Sequence, residues 1–410
     1  MQTNLSLQDA QLAVLDRIEL LQAEIISTQL AYGRVLAETI VSTRTIPPGD
    51  CSAMDGYAIR SKDLLTVANE SPISLKLVFE VAAGGTPPRQ LETGEVARIF
   101  TGAQVPPGAD AVVPQEDVKR TGEKIEFTRA VLFGEHVRLA GEDVKDGDQI
   151  LSHGSILRSP QLGLLASVGR TLVPVVQRPS VAIVSGGDEL VEPDRDLRKG
   201  GIIASNSYTI AAECASFDIK PRNLGIAEDR PEDLQRLIRS GLNSDVLIST
   251  AGVSVGDHDN VRPVLKEMGC DLHFWGVRMK PGFPVLFGSF PNGPIVFGLP
   301  GNPVSSLVTF LKLVRPALRK MCGFKNLYLP TSKAVLLESM EKKPGRRHFI
   351  RVLFEKHNGR LGVRSTGNQS SGVLRSMANA DGLLDFPEEE SHLSRGSEVL
   401  VHLLKEDFIP

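Results

Sequence analysis

The sequence predicts a multidomain α/β protein: a doubly wound α/β domain, a small β-rich domain, an N-terminal helical linker domain built from two separated segments, and a C-terminal β-barrel. Three observations lead there. Short continuous apolar runs at 181–184, 246–249 and 295–297 are those of strands buried on both faces. Helical patterns opening near Asn206 and at Pro231, with Leu234, Leu237 and Ile238 on one face, alternate with them as in a doubly wound parallel sheet. From about 51 to 140 the apolar runs are shorter and separated by Gly-Gly, Pro-Pro and Pro-Gly, whereas after Gly323 short alternating strands return, consistent with a barrel. At roughly 150 residues per domain, 410 residues allow two to four domains. We place them at 1–50 with 140–178, at 51–139, at 179–326 and at 327–410.

Taken in order, Ser6 and Asp9 form a capping pair, and Leu12, Leu15, Ile18 and Leu21 follow at three-residue spacing, which predicts an amphipathic helix over 7–22. A second short helix is expected over 29–37, before Ile46-Pro-Pro-Gly49 ends regular structure. Strands fall at 75–81, 96–100 and 111–113. A helix near 160–167 carries Pro160 in its first turn. Two further helices are expected at 261–268 and, entered through Asn302 and Pro303, at 304–314.

Composition excludes several classes. Apolar residues make up 41% and charged residues 23%, so the chain is an ordinary globular one and not a disordered segment. A net charge of −3 gives no global positive field for nucleic acid or an anionic membrane, so any anion site must be local. Cys51, Cys214, Cys270 and Cys322 show neither disulfide nor zinc spacing, and no apolar run approaches the ~18 residues of a membrane span. A soluble, cytoplasmic protein is expected.

The loops after the three buried runs carry the chemistry. They contain Ser185, Gly187, Asp188 and Glu189; then Gly252, Ser254, Gly256 and Asp257; then Pro300, Gly301, Asn302 and Pro303. In an open α/β sheet these loops gather at the carboxyl edge, where glycines let backbone amides approach a phosphate. One such loop reads as a plain turn; three in one domain read as a ligand edge. Acids crowd the same loops at Asp188, Glu189, Asp229, Asp257 and Asp259, which suits a divalent cation such as Mg²⁺ between them and a phosphate. For Asp257 and Asp259, helix capping reads equally well. Arg278 and Lys280, two residues apart on an expected strand, face the same way as an oxyanion spot or as a solvated surface. By composition, SAMDGYA at 52–58 is a turn entering a strand.

Eight motifs occur in order: SAMDGYA at 52–58, RIFTGAQVPPGADAVVPQE at 98–116, GED at 141–143, SGGDEL at 185–190, AGVSVGD at 251–257, KPG at 280–282, GLPGNPVSS at 298–306 and PGR at 344–346. Together they resemble the molybdopterin molybdenumtransferases, to which the E domain of gephyrin is similar. The resemblance implies that adenylylated molybdopterin and molybdate are converted to molybdenum cofactor and AMP with Mg²⁺, in a homodimer. It implies catalytic roles for Asp55, Asp143, Asp229 and Lys280, and metal contacts from Glu189, Asp257 and Asp259. Substrate contacts fall on the loop residues named above and on Arg346 and Ser371. Transient contacts with molybdopterin adenylyltransferase and with molybdoenzyme maturation proteins are expected partners.

Four positions depart from the family pattern. Gly276 and Phe283 stand where lysines are common, with Arg278 a candidate replacement for one. Ala204 stands where an Asp commonly precedes Ser-Asn, and Arg230 where a second acid often follows Asp229. An active transferase is the leading expectation. The alternative is a non-catalytic dimeric scaffold of the same fold, and a third reading is the adenylyltransferase step, against which the extra β domains count.

Overall fold

A computed structural model describes residues 1–405 apart from 69, 198–199 and 251–259. The chain forms two compact units, one of 1–24, 33–37 and 175–410 and one of 25–32 and 38–174.

The first unit is built on a seven-stranded sheet in the order Gln2–Leu5, Asp271–Val277, Leu286–Ser289, Ile295–Gly298, Val246–Ser249, Val181–Gly186, Arg222–Ala227. The last four strands are parallel. Side chains alternate across a strand, so Val181 and Ile183 enter one core with Ile210 and Val304, while Ala182 and Val184 enter another with Leu234, Leu237 and Val264. Both faces of the sheet are thus covered by helices, as the continuous apolar runs require. Leu286–Ser289 departs from an all-parallel arrangement. It runs antiparallel to Ile295–Gly298 because Asn292, at φ 59°, and Gly293 close a hairpin in which the Phe290 amide donates to the Pro294 carbonyl at 3.1 Å.

Helix Pro303–Thr309 continues through a π-helical turn, Phe310–Val314, into Arg315–Met321, beyond the expected end at 314. Pro316 lacks an amide donor, and the π turn takes up the break in the bonding ladder just before it. In the C-terminal part, five strands close on themselves: Arg347–His357 pairs Arg360–Ser365, then Thr331–Leu336, Glu398–Leu403 and Gly382–Phe386, which returns to Arg347–His357. The expected barrel is present. The short strand Met279–Lys280 lies parallel to the start of Arg347–His357 and sets Lys280 beside His348.

The second unit holds a six-stranded sheet, Ala111–Pro114, Gly56–Ile59, Glu95–Ile99, Ile73–Val81, Lys124–Phe127, Val118–Thr121. Tyr57 and Ile59 enter one core and Ala58 another. Helix Ser159–Ser167 has its expected early proline.

Two expected helices differ. The first ends at Leu15, with Ser6 accepting from the Asp9 amide as its cap. Its buried stripe is Leu7, Ala10 and Val14, whereas Leu12 is 59% exposed; three-residue spacing drifts round a helix of 3.6 residues per turn. Over 29–37 there is only the 3₁₀ turn Thr28–Leu30, and Gly33, at φ 75°, breaks any continuation. All four cysteines are buried and unpaired. Among the described residues no helix is long and apolar enough to cross a membrane.

Candidate functional site: a phosphate cleft and a cationic pocket

At the carboxyl ends of the parallel strands lies a cleft of about 610 Å³. Its walls include Gly187 and Glu189 after the first strand, Asp229 after the second, Thr250 after the third, and Pro300, Gly301 and Asn302 after the fourth. Gly187 is required by its conformation: φ is 136°, and a Cβ there would lie 2.5 Å from Glu189 Oε2. The Glu189 carboxylate has no hydrogen-bond partner among the described residues and faces the cleft. Asp188 and Asp229 tie two loops together, Asp188 Oδ1 accepting from the Asp229 amide at 2.9 Å and Asp229 Oδ2 from the Asp188 amide at 3.4 Å. Ser185 is buried and bonds Thr250, Oγ to Oγ1, at 2.9 Å, so its side chain braces the floor beneath the cleft.

Two lining residues, Asn260 and Asn206, were not among the expected site residues. Asn260 Nδ2 donates to the Asp229 carbonyl at 3.1 Å, and Asn206 Nδ2 donates to the Gly301 carbonyl at 2.8 Å. Among the described residues Asn206 Oδ1 is buried without a partner. Of the predicted residues, Gly252, Ser254, Gly256, Asp257 and Asp259 lie outside the described residues. Pro303 opens the helix behind the wall, and Asn302 precedes it as N-cap in extended conformation with its side chain not used in capping.

A second pocket, of about 580 Å³, is lined by Lys280, Phe283, Ser305, Arg346, Gln369 and Ser371, among others. It shares Lys280, Arg346 and Gln369 with an adjoining hollow of about 660 Å³ that adds Lys342, Lys343, His348 and Arg351. Lys280, Lys342, Lys343, Arg346 and Arg351 outnumber the one carboxylate lining the hollow, Glu341. Burial, then the charges of Lys280, Lys342 and Arg346, push the His348 imidazole down to about 4. The loop bearing Ser371 is held from two sides: the Ser371 carbonyl accepts the Val304 amide at 3.1 Å, and Arg351 reaches it from the barrel. Arg351 is 1% exposed and donates from Nε to Ser376 Oγ at 3.0 Å, and from Nη2 to the carbonyls of Asn368 at 3.2 Å and Ser370 at 3.1 Å.

Arg278 does not stand with Lys280. The strand ends at Val277, and the Arg278 guanidinium donates to Glu388 Oε1 at 2.5 Å and to the Asn4 carbonyl at 2.6 Å, outside both pocket walls. It replaces neither lysine. In the second unit, Asp55 Oδ1 accepts from the Thr101 amide at 2.8 Å and hydroxyl at 2.7 Å, which hold its carboxyl below the usual range. Asp143 is exposed there, its amide donating to the Ile46 carbonyl at 3.1 Å.

Among the described residues no three His, Cys, Asp or Glu side chains form a metal-holding group. Glu189 alone stands on the cleft wall as a carboxylate without a hydrogen-bond partner among the described residues, a donor of the kind Mg²⁺ takes together with substrate phosphate and water.

A doubly wound sheet with a cleft at its carboxyl edge, where open α/β sheets bind their ligands, and a pocket lined by Lys280 and Arg346 together make up the candidate site. Residues 5–169 match the family described as MoeA N-terminal region (domain I and II), 182–320 the probable molybdopterin binding domain, and 333–404 the MoeA C-terminal region (domain IV). The molybdopterin molybdenumtransferase of Nostoc sp. is 38% identical, over 92% of this chain and 88% of its own. That of Haemophilus influenzae is 34% identical, over 93% and 95%. The solved molybdopterin biosynthesis MoeA protein of Pyrococcus horikoshii has a TM-score of 0.81 at 34% identity, covering 98% of this chain and all of its own. The chain belongs to the MoeA family of molybdopterin molybdenumtransferases.

Proposed function

We propose that this protein converts adenylylated molybdopterin and molybdate to molybdenum cofactor and AMP. One observation carries the reading: the segment KPGFP lines both cavities, Lys280 and Phe283 facing the cationic pocket and Pro284 the phosphate cleft. A ligand seated by its phosphates along Gly187, Gly301 and Asn302 therefore has its far end within reach of an anion held by Lys280, Arg346 and Ser371. Lys280 and Arg346 neutralise the oxyanion, and Ser371 offers a hydroxyl to it. Asp229 presents a carboxylate to the phosphate cleft. Asp55 and Asp143, in the second unit, take the acidic roles implied by the family motifs, with Asp55 kept ionised by Thr101. Mg²⁺ held by Glu189, with Asp257 and Asp259, would neutralise phosphate charge on the leaving AMP.

The same proposal includes the four-domain division, a homodimer, a cytoplasmic location and transient contacts with the adenylyltransferase that supplies the substrate and with maturation proteins that receive the product. Purified protein supplied with adenylylated molybdopterin, Mg²⁺ and molybdate is expected to release AMP in a molybdate-dependent manner. Release no faster than a protein-free control would overturn the reading, and tight substrate binding without turnover would replace it with the scaffold alternative.

A further inference from the structure

We infer that Phe283 is a positioning residue whose ring fixes the Arg346 guanidinium at the mouth of the oxyanion pocket. The inference rests on reading that pocket as the molybdate site. Arg346 Cζ lies 4.4 Å from the centre of the Phe283 ring, within the range at which a ring face attracts a cation. Among the described residues no hydrogen bond or ion pair ties the Arg346 side chain to the protein, so this stacking is the contact that sets its direction.

The platform is itself held. Trp275 meets the Phe283 ring edge to face, with centroids 5.6 Å apart and planes at 86°, and Arg262 lies over the indole with Cζ 6.0 Å from its centroid. The Phe283 carbonyl accepts the amides of Val277 and Val285, both at 3.0 Å, which pins its backbone. Gly276 makes the room. At φ 79° it lies under the ring, and a Cβ there would be 3.2 Å from Phe283 Cζ.

A long side chain at 276 and the ring at 283 would compete for one space, so Gly276 is what lets the ring stand beneath Arg346. A planar guanidinium can meet two oxygens of a tetrahedral oxyanion at once, and fixing it beforehand lowers the ordering cost of binding.

The test titrates molybdate alone into the whole chain by calorimetry and reads half-saturating molybdate in the AMP-release assay. Phe283→Leu keeps apolar bulk but removes the ring face, and it is expected to weaken molybdate binding about three- to tenfold while affinity for adenylylated molybdopterin is unmoved. Phe283→Tyr is expected to bind as the unaltered protein does. In an Arg346→Ala background, Phe283→Leu should add no further loss. Should the leucine variant not fold, Phe283→Met carries the same expectation. Unaltered molybdate binding by Phe283→Leu, or equal weakening by leucine and tyrosine, overturns the inference while leaving the pocket's assignment intact. Unaltered binding by Arg346→Ala would instead remove the assignment, and the inference with it.

Discussion

Arg351→Met tests how the cationic pocket keeps its shape. The guanidinium is 1% exposed and has no carboxylate partner among the described residues; its three hydrogen bonds go to Ser376 and to the Asn368 and Ser370 carbonyls of the loop that carries Ser371. Bonds from a cation contribute roughly 1.5–3 kcal/mol each. Methionine fills the same space, and part of the loss is returned because a cation no longer has to be desolvated, leaving a net destabilisation of about 2–5 kcal/mol. The barrel strand that carries Arg351 keeps its own pairing, so the damage concentrates in the loop. Urea unfolding should show a lower midpoint, and half-saturating molybdate should rise. Arg351→Lys, with one nitrogen in place of a fork, should fall between the two. An unmoved unfolding midpoint together with an unmoved molybdate requirement in Arg351→Met would refute the anchoring argument.

Three further outcomes are expected. His348, pushed down to about 4, enters the fold neutral; because its folded value lies below its unfolded one, its contribution to stability falls as pH drops from about 6.5 towards 4. Molybdate among Lys280, Lys342 and Arg346 should move that titration upward, and an NMR titration unchanged by saturating molybdate would contradict the oxyanion assignment. Gly187→Ala places a Cβ 2.5 Å from the Glu189 carboxylate at a φ of 136°, so a stability loss of about 1–3 kcal/mol and a displaced Glu189 should appear in denaturation and AMP-release measurements; a variant identical in both would show that the turn is not constrained. Glu189→Gln should raise the Mg²⁺ needed for half-maximal AMP release about tenfold with little change in thermal midpoint, since the side chain is exposed; an unmoved Mg²⁺ requirement would take Glu189 out of metal binding.

The parallel strands and their ligand edge were legible because residues buried on both faces leave continuous apolar runs, and because glycine at a strand end marks close backbone approach. Gly187, Glu189, Asp229, Gly301 and Asn302 do meet at one cleft. The convergence of Lys280, Arg346 and Ser371 was legible only through motif resemblance, since it depends on the parallel pairing of Met279–Lys280 with a barrel strand distant in sequence. Arg351 and Gln369 left no signal. Their partners are mainly backbone groups, which any sequence supplies. The role given to Arg278 failed because periodicity was carried past Val277, where the strand ends just after Gly276 at a positive φ. The antiparallel strand was readable from Asn292-Gly293, a hairpin signal between two apolar runs.

Strand Gln2–Leu5 completes the sheet by lying parallel to Asp271–Val277, and Leu5 and Asn4 supply the carbonyls that receive Arg278. On the ribosome these two strands emerge far apart in time, roughly 15–50 s at ordinary elongation rates. The opening residues must wait, unpaired, while the whole of the second unit, whose strands find partners nearer in sequence, is delivered. Assembly is therefore expected to run from the interior of the chain outward. Protease digestion of chains arrested before residue 271 should show the second unit already protected and the first residues still open to cleavage; protection of both at that stage would reverse the order.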